Sequence, residues 1–160
     1  MKSEIPTVEI FCFGSMKKLP ESGLVVGGYA AVMAFGDKTK TVSGSQLNAT
    51  NYVMDIIAIT KSLMLLKVPC QVKLYSTNQT VVNTINLDYK MKTYPELKPE
   101  LKKAMEPHKI EAILPDLIKL PALMELAKKE AQKERQKLED EEENYRKVSN
   151  DAIDEMFENT

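Results

Sequence analysis

Residues 9–16 read EIFCFGSM, and the reading of the fold turns on them. Thr7–Phe13 is apolar and rich in β-formers, which predicts a buried strand, and Gly14-Ser15 reads as the turn that ends it. Strand ends of this kind often present a catalytic group. Here the tip carries Phe13, where chemistry would want a carboxylate. Two explanations compete: an enzyme whose chemistry sits elsewhere, or an enzyme-like fold with its chemistry removed.

Outward from that strand, Gly23–Phe35 (GLVVGGYAAVMAF) predicts a second one, with Gly27-Gly28 marking a bulge or a close backbone approach. Gly36-Asp37 is a turn signal, and Lys38–Ser43 returns as a more polar strand alternating Thr39, Thr41 and Ser43. These strands, joined by short turns, make an antiparallel meander. Asn48–Lys67 is the clearest helix. Thr50 or Asn51 can cap it, and Asp55 sits in its early turns, where the dipole favours an acid. Val53, Ile56, Ile57, Ile59, Leu63, Met64 and Leu66 cover most of its circumference, so the helix is expected to be sandwiched.

Val68-Pro69 stops that helix, Gln71–Tyr75 predicts a fourth strand, and Thr77–Leu87 a helix with Val81, Val82 and Ile85 inward. Helix then strand after a meander implies an α/β, three-layer fold: a five-stranded mixed sheet with helices on its faces. Lys90–Pro107 offers one short helix in PELKPELKKAM, and His108–Leu114 a short fifth strand. From Pro121 onward the chain reads as helix, with Leu123, Met124, Ala127 and Ala131 as a docking stripe. Between Gln132 and Asn144 only Leu138 is strongly apolar, so that part is expected to project into water. Tyr145, Val148, Ala152 and Met156 then form a second stripe that must dock on something, by fold-back, self-association or a partner protein.

The 160 residues, 43% hydrophobic and 28% charged, fit one core domain over 1–131 with an acidic helical extension over 132–160. The net charge of −1 hides an asymmetry: residues 125–160 carry twelve Asp/Glu against seven Lys/Arg, and the rest fifteen basic against eleven acidic side chains. No apolar run approaches the roughly 20 residues of a membrane span and no signal-peptide core is visible, so the expectation is a cytoplasmic protein without a membrane partner. Cys12 and Cys70, on neighbouring parallel strands, are expected as buried free thiols. With one histidine, His108, no Gly-rich phosphate loop and no Cys/His cluster, nucleophilic catalysis and cofactors are not expected.

The order of elements and the letters themselves resemble the type 1 ribonuclease H family over roughly residues 7–131. VEIFCFGS is similar to that family's first strand ending Asp-Gly-Ser, ATNYVMD to its Thr-Asn-Asn-x-Met-Glu helix start, and CQVKLYSTNQTVV to its fourth strand ending Ser-Thr-Asp-Ser-Gln-x-Val. The resemblance implies cleavage of the RNA strand of an RNA–DNA hybrid by two magnesium ions held on four carboxylates. Carried over, those positions are Phe13, Asp55, Thr77 and Met124, so only Asp55 keeps its acid and no metal is expected. The family's catalytic-histidine loop is missing too, since PDLIKLPA is short and holds no histidine.

The positions that grip hybrid in the family correspond to Gly14, Ser15, Asn51 and Gln79, all present, although local structure alone also accounts for each. Lys90, Lys92, Lys98, Lys102, Lys103 and Lys109 fall where relatives carry a basic protrusion, diluted by Asp88, Glu96, Glu100 and Glu106. The expected function is a pseudonuclease that binds RNA or RNA/DNA hybrid. The alternatives are an interaction or oligomerisation scaffold, of a kind that would suit a virus, using Tyr145, Val148, Ala152 and Met156, and a divergent ribonuclease HI in which Glu9 or Asp37 joins Asp55.

Overall fold

The computed structural model describes residues 5–87 and 95–158. Its elements are β1 (Thr7–Lys18), β2 (Val25–Phe35), β3 (Lys38–Leu47), α1 (Asn51–Met64), β4 (Gln71–Ser76), α2 (Gln79–Leu87), a 3₁₀ turn Pro95–Leu97, α3 (Lys98–Met105), β5 (Lys109–Ile113) and α4 (Ala122–Glu158). One five-stranded sheet runs β3-β2-β1-β4-β5. Its first three strands are antiparallel because short turns join them, Gly36 supplying a φ of 61° in the β2–β3 turn. β4 and β5 run parallel to β1 and to each other because each follows a helical crossover. The segment with Asp88, Lys90 and Lys92 lies outside the described residues.

Alternation along β1 sorts the core. Val8, Ile10 and Cys12 face α1 together with Tyr29, Ala31 and Met33 of β2, and α2 and α3 close that side through Val81, Ile85, Leu101 and Ala104. α1 is thus sandwiched as its composition requires, though Met64 at its end is exposed. The opposite face holds a smaller cluster of Phe11, Val32, Met124 and Ala127 under α4. β2 is buried from Val26 to Ala34, as a strand covered on both faces should be, whereas the edge strand β3 is polar and exposed.

Several boundaries differ from the sequence expectation. β1 does not end at Gly14-Ser15: it runs to Lys18, pairing Gly14 with Tyr29 and Ser15 with Gly28. β3 likewise extends beyond Ser43 to Leu47. α1 is shorter than Asn48–Lys67, because Thr50 is its cap, its side chain accepting from the Val53 N–H at 3.2 Å. Gly27-Gly28 forms no bulge, since the β1–β2 register passes through both residues unbroken. The pair serves close approach instead. A Cβ on Gly28 would run into the Ala131 carbonyl and the Arg135 backbone nitrogen of α4, and one on Gly27 would reach the Met54 sulfur at 2.9 Å. Cys12 and Cys70 are buried free thiols, as expected.

Because the obstacle at Gly28 is helix backbone, which cannot swing aside, Gly28→Ala is expected to lower the unfolding free energy by roughly 1–3 kcal/mol. Urea denaturation measures it, and an unchanged midpoint would show that α4 does not seat on this glycine.

Candidate functional site

The site is built where β1, the start of α1, the end of β4 and the first turns of α4 converge. At Gly14 the missing side chain lets α1 rest on bare strand: an added Cβ would lie 2.7 Å from the Met54 Cβ, 2.9 Å from the Asn51 carbonyl and 3.1 Å from Asp55 Oδ1. That contact presses Asp55 inward until it is only 2% exposed. Its Oδ2 accepts a hydrogen bond from Ser76 Oγ at 2.7 Å, and the Asn78 N–H donates to that Oγ at 3.1 Å. Asn78 in turn accepts from the Thr80 N–H at 3.0 Å at the start of α2. Among the described residues nothing hydrogen-bonds to Asp55 Oδ1. Burial pushes the Asp55 carboxyl up to about 7, against the opposing pull of the Ser76 hydroxyl. The neighbouring Cys12 thiol is raised by burial and then by the Asp55 charge.

Phe13, one residue before Gly14, points to the other face of the sheet. It packs with Met124 into the cluster of Phe11, Val32 and Ala127. Tyr75 stacks on Phe11 with ring centroids 4.5 Å apart, its hydroxyl donating to Glu9 at 3.0 Å. Thr77 is half-buried just past the end of β4. Of the positions Phe13, Asp55, Thr77 and Met124, only Asp55 brings a carboxylate, and it lies sealed on the α1 side. Neither Glu9, bound to Tyr75, nor Asp37, in the β2–β3 turn, lies near it, because the β1–β2 register sets both toward the far end of the sheet. Among the described residues, no group of three or more His, Cys, Asp or Glu side chains is placed to hold an ion.

Asn51 and Gln79 are exposed at the starts of α1 and α2. They share one end of the sheet with Gly14, because Cys12 pairs with Ser76 and the Asn51 carbonyl abuts Gly14. The Ser15 side chain does not join them. It is buried on the α4 face, its Oγ accepting from Arg135 Nη1 at 2.9 Å. His108 is a half-buried fastener at the start of β5: its Nδ1 accepts from the Cys70 N–H at 3.0 Å, and burial lowers its pKa.

The expectation that α4 projects from Gln132 is also corrected. α4 has no break at 131, and polar contacts hold it along the sheet: Arg135 to Ser15, Glu134 to Ser43 at 3.2 Å, and a buried Glu139 to Lys17 at 2.6 Å. Arg146 then pairs with Glu21 in the β1–β2 loop at 2.7 Å. Tyr145, Val148, Ala152 and Met156 are exposed, so the stripe they form does not fold back. The sequence reading missed Ser76, Arg135 and Glu139. Alternation of Val72, Leu74 and Ser76 points Ser76 toward α1 and could have revealed it; Arg135 and Glu139 read as solvated charges because nothing local shows their partners.

Asp55 sets a pH dependence. Below pH 4 it is protonated both folded and unfolded; between about 4 and 7 the unfolded chain ionises while the folded one holds its proton, so stability falls as pH rises. At about 1.4 kcal/mol per unit, the loss amounts to at most about 4 kcal/mol above pH 7. Asp55→Asn is therefore expected to flatten the pH profile of the unfolding free energy and to stabilise the protein at pH 8. An unchanged slope in denaturation series from pH 4 to 8 would contradict this burial.

Comparison with known proteins agrees with this architecture. The RNase H family model matches residues 6–131. Ribonuclease HI of Helicobacter pylori strain J99 is 36% identical over 114 residues, covering 66% of this chain and 77% of that protein. Ribonuclease HI of strain 26695 is 42% identical over 80 residues, 50% of this chain and 53% of its own length. Among solved structures, LC11-RNase H1 in complex with RNA/DNA hybrid superposes with a TM-score of 0.66 at 17% identity, over 82% of this chain and 98% of that one. A family match spanning the whole sheet and the docked start of α4, on a five-stranded order of β3-β2-β1-β4-β5, makes this chain a member of the ribonuclease H family.

Proposed function

We infer that the chain is a ribonuclease H-like protein that no longer hydrolyses nucleic acid and binds RNA or RNA/DNA hybrid along the end of the sheet that carries Gly14, Asn51 and Gln79. The observation that carries this reading is the packing of Phe13 and Met124 into one apolar cluster, at positions where the family places metal-binding acids. Paired magnesium ions need hard oxygen ligands and several negative charges to share them. A benzyl ring, a thioether and a threonine hydroxyl beside one protonatable carboxyl do not fit that requirement.

Binding without cleavage is physically coherent. Removing carboxylates from the reaction centre lessens its repulsion of phosphate, while the exposed Asn51 and Gln79 side chains remain able to meet sugar hydroxyls of an A-like duplex. LC11-RNase H1, which shares the fold, has been solved with RNA/DNA hybrid bound, in keeping with this use of the scaffold. The Ser15 side chain points away from this end of the sheet, since Arg135 holds it under α4.

The expected result with an RNA/DNA hybrid is no turnover in Mg²⁺ or Mn²⁺, and an affinity that falls as salt rises. Asn51→Ala and Gln79→Ala should each weaken binding by a few-fold, on the order of 1 kcal/mol per lost hydrogen bond. Hydrolysis abolished by Asp55→Ala would restore the divergent ribonuclease, and hybrid binding indifferent to Asn51 and Gln79 would overturn binding at this end of the sheet.

A further inference from the structure

The loop that joins β5 to α4, residues 114–121, holds no histidine, and its own residues give it a definite shape. Pro115 is buried and Leu120 packs against the cluster of Phe11, Val32, Met124 and Ala127, so both ends are fixed. Between them Asp116 ties a tight turn, its Oδ1 accepting from the Ile118 N–H at 2.9 Å and from the Lys119 N–H at 3.2 Å. The turn sets two adjacent aliphatic side chains in water: Leu117 is 57% exposed and Ile118 100%. A lone exposed aliphatic residue is ordinary. A pair at the tip of a tied turn is preorganised for contact, because little freedom is left to lose on binding.

Topology decides what the tip accompanies. Ile113 pairs with Tyr75 on parallel strands, so the loop leaves β5 beside the point where residues 76–78 leave β4 on the way to Gln79. Gly14 lies two residues past Cys12, the partner of Ser76, and stands at this same end. Loops beyond the carboxyl ends of parallel strands are where open α/β sheets take their ligands. β5 is two strand spacings from β1, roughly 10 Å, close enough for one duplex to meet Gly14, Gln79 and the tip together. Charge agrees with such a ligand: Lys119 is exposed beside Ile118, and Asp116, the one acid of the loop, is occupied by two backbone amides.

We propose that Leu117 and Ile118 form an apolar wedge that enters the minor groove of a bound RNA/DNA hybrid while Lys119 meets a phosphate, so that the tip selects an A-like duplex over B-form DNA. The wide, shallow minor groove of an A-like duplex admits a blunt aliphatic tip against its sugars, whereas the B-form minor groove, roughly 6 Å wide, must first be prised open. The proposal rests on hybrid binding at the end of the sheet that carries Gly14, Asn51 and Gln79, and adds to it the contact that tells hybrid from DNA.

The test follows the anisotropy of a short fluorescent RNA/DNA hybrid, and of duplex DNA of the same sequence, titrated with the full chain and its variants. Leu117→Ser/Ile118→Ser should keep the native urea midpoint, because both side chains are exposed, and should bind hybrid roughly tenfold more weakly at every salt concentration. Its affinity for DNA should scarcely change. Lys119→Gln should instead make the dependence of log affinity on log salt shallower by about one. Asp116→Ala, which frees the turn but keeps the aliphatic pair, should lose part of the hybrid affinity. Hybrid binding that falls in Asn51→Ala and Gln79→Ala but not in Leu117→Ser/Ile118→Ser would overturn the wedge and leave the reading beneath it standing, whereas no hybrid binding by the native chain would overturn both. An equal loss for hybrid and DNA would overturn the selection. Sedimentation of the native chain as a dimer that Leu117→Ser/Ile118→Ser dissolves would also overturn the proposal, by giving the tip to a second copy.

Discussion

The structure depends on α1 lying directly on the backbone of β1 at Gly14. No side chain intervenes, so the first turns of the helix descend until the Asn51 carbonyl and the Met54 side chain meet the strand. Asp55, one residue further, is carried beneath the sheet and out of water. Its elevated pKa, its bond to Ser76 and the link through Asn78 to the start of α2 all follow from that approach. Any larger residue at position 14 would lift the helix and return the carboxyl to solvent.

On the other face the same strand meets a different neighbour. Phe13 and Met124 bury apolar surface against each other's surroundings at no electrostatic cost, where two carboxylates at such depth would repel and demand a counterion. The face is therefore stable as packed core in its own right. Beyond that cluster α4 continues not by hydrophobic contact but by charge-assisted bonds to Ser15, Lys17 and Glu21, made reachable by the close seat at Gly28. A helix that reads as solvated over Gln132–Asn144 is thereby held against the sheet for several turns before it leaves.

Much of this was legible beforehand. The meander, the crossover helices and the short fifth strand could be read from alternation, helical periodicity and turn residues, which act over a few positions. The blocks around Phe13, Asp55 and Thr77 carried the family likeness that the RNase H match sustains. The course of β1 past Gly14-Ser15 was not legible, because a glycine that makes a turn and one that admits a helix look alike in sequence. The polar docking of α4 was hidden for a related reason: Arg135 meets Ser15 across 120 positions, and no local pattern marks a charge as partnered.

By itself the sequence determined which residues could supply chemistry and which segments would be strand or helix, since side-chain type and short-range periodicity are local properties. Only the tertiary structure decided that Phe13 and Asp55 are divided by the sheet, that the Ser15 side chain is sealed while Asn51 and Gln79 stay open, and that Tyr145, Val148 and Met156 of α4 are exposed. The reason is that adjacent strand residues point to opposite faces, and what waits on each face is delivered by distant parts of the chain.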